Sequence, residues 1–231
     1  MSHSINITRI KAVSNALAKL ETPVVFAGGA TVSLYADIDF REEARPTDDV
    51  DVVLELVAYK NYAAVEVQLR AIGFVNDIHS KVICRYKYKG LLVDIMPTDE
   101  KVLGFSNKWY APGFKQAIDF EIDKQHIVKI FPVTYFIASK LEAFKNRGKN
   151  DGRTSSDFED IVFVLTYRNS IWKELQEADE IVKQYLKDEF IKLLAGNFID
   201  EWIAVHLDYS DRQRGNYITG RLKEFITTQT V

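Results

Sequence analysis

Residues 23–56 constrain the fold of this chain more than any other stretch. An apolar run ends at Gly28-Gly29, a short amphipathic segment and a polar loop follow, and Asp49 then opens a second apolar run. Proline is tolerated at the first residue of a strand but not in its middle, so Pro23 favours the start of a strand. The sequence therefore predicts a strand, a glycine turn, a short helix over 30–36, an irregular loop over 37–47 and a second strand.

Two aspartates stand at the start of this second strand, and a third follows later. Polar and apolar residues alternate over 49–56, which places Asp49 and Asp51 on one face. The strand predicted over 91–96 carries Asp94 between apolar neighbours on its own face. Burying an isolated carboxylate is costly unless it is paired, protonated or bound to a cation. These three aspartates therefore either bind a hard divalent cation, Mg²⁺ or Mn²⁺, or are an exposed strand-edge pair and a hydrogen-bonded buried acid.

The glycine pair also has two interpretations. Two glycines after a strand are often only a turn. A helix that begins at such a turn also presents backbone N–H groups to an anion, and Thr31 or Ser33 would then add a hydroxyl.

The rest of the chain shows strand signals first and helix signals afterwards. Helices are predicted over 8–20 and 58–71, and a strand over 81–88 returns through a Lys89-Gly90 turn. The later segments are a long connection over 97–115, a second hairpin over 116–131, helices over 133–147 and 156–168, and a helical pattern over 171–231.

This order predicts an α+β protein with a mixed sheet and a helical C-terminal region. We expect a sheet-forming core over residues 1–131 and a helical region over 132–231.

The composition is that of a globular protein. The chain has 231 residues, 47% of them hydrophobic, and a formal net charge of −3, so no overall charge bias indicates a nucleic-acid or membrane surface. The single cysteine, Cys84, cannot form an internal disulfide and fits a reducing compartment. No signal peptide and no run of ~18 apolar residues is present, so we expect a cytoplasmic protein outside the membrane.

The motif around the first two aspartates resembles a known superfamily. Ala27-Gly28-Gly29-Ala30 followed by Arg45-x-Thr47-x-Asp49-Val50-Asp51 resembles the signature of the DNA polymerase β-like nucleotidyltransferases. The Arg-x-Thr-x-Asp-x-Asp order is most similar to the AbiEii/AbiGii toxins of type IV toxin–antitoxin and abortive-infection systems, which include the MenT toxins. The resemblance spans about residues 24–165.

Two later segments extend this resemblance. The segments 139–143 (SKLEA) and 156–160 (SDFED), with Arg147, resemble the later lysine helix and the Arg/Asp-Phe-x-Asp segment of the toxin group. Two departures stand out: the gap from Gly29 to Asp49 is longer than in compact members, and Ser156 stands where arginine is common.

The resemblance implies a magnesium-dependent nucleotidyltransferase that moves a nucleoside monophosphate from an NTP to a hydroxyl acceptor. The acceptor implied is tRNA or another RNA, and the biological role implied is that of a toxin with a cognate antitoxin. The same fold is also compatible with a small-molecule acceptor, as in antibiotic-modifying enzymes, and with a non-catalytic protein that binds a nucleotide or a partner. We expect a monomer or weak dimer.

The resemblance also implies roles for particular residues. Asp49, Asp51 and Asp94 would hold the metal, Asp94 would help to deprotonate the acceptor, and Lys140 would lie over the triphosphate. The nucleotide contacts implied are Gly28, Gly29, Thr31, Ser33, Arg45, Thr47, Lys140 and Asp157.

Ordinary alternatives exist for three of these contacts. Lys140 falls inside an apolar helical stripe, which suggests that it points into the protein, although such a lysine can also extend to solvent from a helix edge. Asp157 suits the N-terminal turn of a helix, and Arg45 suits a simple salt bridge with Asp48 or Asp51.

A set of basic residues gives two further possibilities. Such a set either lines a groove for an RNA backbone or forms ordinary solvated helix faces. The set is Lys140, Lys145, Arg147, Lys149, Arg153, Arg212, Arg214, Arg221 and Lys223.

Overall fold

The structure is a computed structural model that describes residues 2–56, 59–149 and 151–228. The chain forms two compact units. The first comprises Met1–Ser33 and Arg41–Pro132, and the second comprises Leu34–Phe40 and Val133–Val231. The sequence predicted a division between residues 131 and 132; in the structure the short segment Leu34–Phe40 also packs with the later unit.

A seven-stranded mixed sheet is the centre of the first unit. Its strands are β1 (Val24–Ala27), β2 (Asp49–Leu54), β3 (Val75–Asn76), β4 (Arg85–Tyr88), β5 (Leu91–Pro97), β6 (Ile118–Asp123) and β7 (His126–Ile130). The strand order is β3-β4-β5-β2-β1-β7-β6. β2 pairs antiparallel with β1 and parallel with β5, so the sheet is mixed and the α+β prediction is confirmed.

The hairpin of β4 and β5 has the predicted turn. Lys89 and Gly90 both have positive φ angles, 48° and 82°, as a two-residue hairpin turn with the favoured twist requires. Tyr88 therefore pairs with Leu91, and the register continues to Arg85 opposite Asp94.

The predicted start of this hairpin at residue 81 is wrong. Residues 81–84 are irregular and include a turn at 83–84, and the β4 strand begins only at Arg85. Val82 and Ile83 are exposed, whereas Cys84 is buried, so the apparent alternation did not reflect a sheet face. The short edge strand β3 was not predicted, because two residues give no periodic signal.

Helices accompany the sheet in the first unit. They are α1 (Ser2–Leu17), α2 (Val32–Tyr35, which continues into the second unit), α3 (Tyr59–Ala71), α4 (Glu100–Leu103) and α5 (Tyr110–Lys115). Ile10, Val13 and Leu17 bury the predicted apolar face of α1, which starts earlier and ends earlier than expected. The predicted start of the second helix at residue 58 lies outside the described residues.

The predicted long connection over 97–115 contains the two short helices α4 and α5. The Asp99 side chain accepts a hydrogen bond from the Lys101 N–H at the start of α4, and Gly104 ends that helix with a left-handed conformation. These cap signals were present in the sequence, but four residues are too few for a helical period.

The second unit is helical, as predicted. Its helices are α6 (Val133–Arg147), α7 (Ser156–Tyr167), α8 (Ile171–Gln176), α9 (Glu180–Ala195), α10 (Ile199–Val205) and α11 (Gln213–Thr227). Their buried stripes form the core of this unit, with Phe136, Ile161, Leu186 and Phe225 almost completely inaccessible to solvent. Across the described ranges, no helix has both the length and the apolar composition needed to cross a membrane.

Candidate active site

The three predicted carboxylates lie on adjacent strands of the first unit. Asp51 of β2 is the direct register partner of Asp94 of β5, and Asp49 precedes Asp51 by two residues on the same strand. The polar positions of β2 are half-buried, whereas Val50 and Val52 between and after them are fully buried. The alternation in the sequence therefore positions Asp49 and Asp51 on one face, and the parallel pairing brings Asp94 beside them.

Gly28 lies against the carboxylate of Asp51. A Cβ atom at residue 28 would be 1.6 Å from Asp51 Oδ2, so no side chain fits there without displacing this carboxylate. Gly28 also has φ 68° and ψ −166°, a conformation that only glycine adopts readily. The first glycine of the pair is thus required twice, by its backbone angles and by its contact with Asp51.

The second glycine contacts the other half of the motif. A Cβ atom at Gly29 would lie 2.7 Å from Arg45 Nη2 and 2.8 Å from Thr47 Cγ2. The Thr47 hydroxyl donates to the Asp49 backbone carbonyl at 3.1 Å, which links the loop to the start of β2. The Gly-Gly turn and the Arg-x-Thr-x-Asp-x-Asp segment therefore form one packed arrangement.

Asn6, which the sequence did not single out, holds this arrangement from α1. Its amide Nδ2 donates to the Arg45 carbonyl at 3.2 Å, and its Oδ1 accepts from the Thr47 N–H at 3.3 Å. Asn6 is fully buried, and it therefore fixes the backbone just before the first aspartate.

The hydroxyl groups of Thr31 and Ser33 both have hydrogen-bond partners within the first unit. Both side chains are fully buried. The Thr31 hydroxyl donates to the Gly28 carbonyl at 2.9 Å, and the Ser33 hydroxyl is 2.8 Å from Nδ1 of His3. Burial lowers the pKa of His3. The Thr31 hydroxyl therefore supports the glycine turn, whereas the Ser33 hydroxyl pairs with His3, and their predicted phosphate contact would require both to exchange these partners.

Arg85 is the principal site residue that sequence reasoning missed. Its Nε donates to Asp94 Oδ1 at 2.7 Å and its Nη2 to Asp94 Oδ2 at 2.8 Å. The same Nη2 donates to Asp49 Oδ2 at 2.5 Å. The hydrogen bonds that Arg85 donates to Asp94 are the main reason why the pKa of Arg85 is raised, and the charges of Asp94, Asp49 and Asp51 add to the effect. The signal was available, since a two-residue turn at residues 89–90 places residue 85 opposite residue 94.

The donor set suits a hard divalent cation, but its present arrangement is adapted to a guanidinium. Three carboxylates on adjacent strand positions are the oxygen ligands that Mg²⁺ uses in proteins. Among the described residues, however, no three His, Cys, Asp or Glu side chains are grouped as a metal site as they stand. Asp49 and Asp94 are both turned to Arg85, so the contact of Arg85 with at least one of these carboxylates would have to open before they could share a metal ion.

Lys140 and Asp157 belong to an ion cluster within the second unit. Lys140 Nζ lies 3.1 Å from Asp157 Oδ1 and 2.7 Å from Asp160 Oδ2, and all three side chains are at most 6% exposed. The inward orientation expected for Lys140 is therefore present. Asp160 is also buried, and its carboxylate pairs with Lys140.

Arg147 completes this cluster from the end of α6. Its Nε donates to Asp157 Oδ2 at 2.7 Å and its Nη2 to Asp157 Oδ1 at 2.8 Å. Burial alone would raise the pKa of Asp157, but the hydrogen bonds of Arg147 and the charges of Lys140 and Arg147 outweigh it and lower this pKa. The cluster thus joins three buried charges, those of Lys140, Asp157 and Asp160, to the largely exposed guanidinium of Arg147, and its two positive charges offset its two negative ones.

A surface cavity of about 250 Å³ lies beside Asp157 in the second unit. Its lining is polar and partly basic, with hydroxyl groups at the start of α7. The lining residues are Arg147, Gly148, Lys149, Thr154, Ser155, Ser156 and Asp157. Ser156 stands where the resembled toxins often have arginine. It is exposed and lines this cavity.

Comparison with known proteins gives a fold but no family. No protein-family model matches this chain, and no curated protein sequence matches it. Among solved structures, the antibiotic-resistance factor ANT(2'')-Ia is similar at 13% identity and a TM-score of 0.51, over 84% of this chain and 96% of that one. A nucleotidyltransferase-like protein from Paracoccidioides brasiliensis is similar at 17% identity and a TM-score of 0.50, over 91% and 97% respectively.

Both neighbours are aligned over nearly their whole length, so the similarity covers the sheet and the helical region of this chain. The mixed seven-stranded sheet with flanking helices and the helical C-terminal unit are consistent with that likeness. The chain therefore has a nucleotidyltransferase-type fold.

Proposed function

We propose that this protein is a magnesium-dependent nucleotidyltransferase that transfers a nucleoside monophosphate from an NTP to a hydroxyl group of an acceptor. In this reaction the acceptor oxygen forms a bond to the α-phosphorus, the bond from that phosphorus to the pyrophosphate oxygen breaks, and the hydroxyl proton is removed. The fold and the carboxylate cluster beside the Gly-Gly turn support this activity.

A single observation carries the proposal. Asp51 contacts Gly28 and is the register partner of Asp94, so motif residues that are distant in sequence lie at one place in the sheet. A purely structural turn does not need a carboxylate packed against its glycine. An acidic face beside a glycine turn is, in contrast, suited to a cation-bound polyphosphate.

The residues have distinct proposed roles. Asp49, Asp51 and Asp94 would hold Mg²⁺, which supplies charge neutralisation for the triphosphate when bound. Asp94 would also accept the hydroxyl proton of the acceptor. Gly28 and Gly29 would allow the backbone to approach the phosphates closely, and Arg45 and Thr47, which contact Gly29, would shape this turn.

Lys140 and Asp157 are better explained by structure than by direct phosphate contact. Lys140 already has two buried carboxylate partners, Asp157 and Asp160, at 3.1 and 2.7 Å. A phosphate would have to compete with both. We therefore propose that Lys140 organises the α6–α7 pair, and that direct contact with the nucleotide needs a rearrangement of this cluster.

Two acceptor classes follow from two different likenesses. The sequence motif resembles RNA-modifying toxins, which favours tRNA or another RNA and a growth-inhibiting role with a cognate antitoxin. The fold is similar to that of an antibiotic-resistance factor, which favours a small hydroxylated acceptor such as an aminoglycoside. We place RNA first because the Arg-x-Thr-x-Asp-x-Asp order is the more specific likeness.

A labelled-transfer assay tests the activity and separates these acceptors. Each of the four α-labelled NTPs is incubated with the protein and Mg²⁺, in parallel with total RNA and with an aminoglycoside panel. We expect label in RNA, from one or a few of the four NTPs, and none when Mg²⁺ is chelated. Label in an aminoglycoside would identify the second acceptor class. Nucleotide binding without transfer to any acceptor would contradict the proposed activity.

A further inference from the structure

Resting on the proposed function, we propose that Arg85 is a positioning residue that competes with a divalent cation for Asp49 while it retains Asp94. Arg85 is a counter-ion of the acidic face, because it contacts both Asp49 and Asp94. Binding of a divalent cation requires the Arg85–Asp49 contact to open, whereas the paired contact of Arg85 with Asp94 persists and orients that carboxylate.

The two carboxylates are bound to Arg85 with unequal strength. Asp94 accepts two hydrogen bonds, from Nε at 2.7 Å and Nη2 at 2.8 Å, in the bidentate geometry that is strongest for arginine. Asp49 accepts one, and it shares that Nη2 with Asp94. The Asp94 side chain is 9% exposed and that of Asp49 is 32% exposed. The Asp49 contact is therefore the easier one to exchange for another cation.

The strand order explains this asymmetry. Arg85 on β4 is the cross-strand partner of Asp94 on β5, so the backbone holds this pair in register. Asp49 is on β2, on the far side of β5. The Arg85 side chain must therefore reach across about two strand spacings, roughly 10 Å, to contact Asp49. A change of side-chain rotamer at Arg85 or Asp49 breaks this contact without moving any strand.

The charges explain why Arg85 is needed in the absence of a metal ion. Asp49, Asp51 and Asp94 all act on Arg85 electrostatically. The guanidinium of Arg85 carries one positive charge, whereas a bound divalent cation would bring two to the same carboxylates. With Arg85 removed, the same carboxylates repel one another and attract a cation more strongly.

The test is the Mn²⁺ affinity of the full chain, measured by electron paramagnetic resonance of free Mn²⁺ without nucleotide. Arg85→Gln should bind Mn²⁺ about tenfold more tightly than the wild type, because a contacting charge shifts cation affinity at a carboxylate by at least that factor. Arg85→Lys keeps the charge but not the forked geometry, and its affinity should lie between the two. Lys129→Gln, which removes an exposed partner of Asp119 near the other sheet edge, is the matched control and should leave Mn²⁺ affinity unchanged.

Thermal unfolding provides a second readout. Without Mn²⁺ the melting temperature of Arg85→Gln should be below that of the wild type. The difference between the two melting temperatures should decrease as Mn²⁺ is added. Equal or weaker Mn²⁺ binding by both Arg85 variants, with circular dichroism showing them folded, would overturn this role, because a purely structural arginine does not oppose the metal. If Arg85→Gln binds Mn²⁺ more tightly but the wild-type protein transfers no nucleotide, the proposed activity is refuted and the role of Arg85 stands.

Discussion

Gly28 is the residue at which a single added atom would disturb the site most. Its φ of 68° and ψ of −166° are unfavourable for any side chain, and a Cβ atom would overlap the Asp51 carboxylate. Gly90 also has a positive φ, 82°, but nothing lies within 4 Å of its Cβ position. A side chain at Gly90 would therefore meet backbone strain alone, whereas a side chain at Gly28 would meet both backbone strain and a steric clash.

The Gly28→Ala variant should be destabilised by more than backbone strain alone. We expect Gly90→Ala to lose about 1 kcal/mol of unfolding free energy, the usual cost of a side chain in this region. Gly28→Ala should lose about 2–4 kcal/mol, because Asp51 must also move. Urea unfolding of both variants measures the difference, and equal losses would show that Asp51 does not pack on Gly28.

Removal of Lys140 should strongly destabilise the second unit. Lys140→Met leaves Asp157 and Asp160 buried with less positive charge, and we expect a loss of about 3–5 kcal/mol in urea unfolding. Lys173→Met is the control, since its exposed pair with Glu177 at 3.8 Å should contribute under about 0.5 kcal/mol. A Lys140→Met variant as stable as this control would argue against the buried cluster as a structural element.

At the scale of elements, the α6–α7 pair depends on the charge state of Asp157. Because the pKa of this carboxyl is lowered on folding, its ionised form stabilises the folded state above its ordinary value of 3.8. That contribution is lost as the pH falls through the folded-state pKa. The second unit should therefore lose stability in this acidic range.

Arg147→Met should move this loss to higher pH. Without Arg147 the pKa of Asp157 rises, since the raising effect of burial is then opposed by the charge and hydrogen bond of Lys140 without those of Arg147. Urea unfolding between pH 3 and 7 should show the stability of Arg147→Met falling at a higher pH than that of the wild type. The Lys173→Met control should follow the wild-type curve, and a parallel curve for Arg147→Met would contradict the assigned coupling.

Local signals predicted some elements well and others poorly. The Lys89-Gly90 turn, the second hairpin and the helix ending before Gly148 needed only local signals, and all three are present. The strand start at residue 81 failed because Val82 and Ile83 are exposed apolar residues in a turn. Alternation in the sequence shows a possible strand pattern. It does not show which residues the rest of the protein buries.

The aspartate motif of the site could be predicted from the sequence. The ion pairs that these aspartates form could not. Asp49 and Asp51 follow from the strand period, whereas the pairing of Asp51 with Asp94 depends on the strand order. Arg85 contacts both Asp94 and Asp49 only because β4, β5 and β2 are neighbours in that order. Asn6 is even less predictable, since a polar residue in the first helix gives no sign that it will hold a loop 41 residues later.

At the scale of the whole molecule, each unit contains a cluster of charged side chains to which we assign a role. The first unit has the Asp49–Arg85–Asp94 arrangement, and the second has the buried Lys140–Asp157–Asp160 arrangement. The chain length over which both solved neighbours align includes both units. We propose that the first cluster performs the transfer chemistry and that the second stabilises the helical unit.

The transfer of label from an α-labelled NTP with Mg²⁺ tests this division of roles most directly when two variants are compared with the wild type. Asp49→Ala/Asp51→Ala should reduce transfer to below about one hundredth of the wild type, because the cation ligands are lost. Asp119→Ala, which removes an exposed carboxylate from the same sheet, should retain wild-type transfer. Undiminished transfer by a folded Asp49→Ala/Asp51→Ala variant would contradict the assignment of this acidic face as the active site.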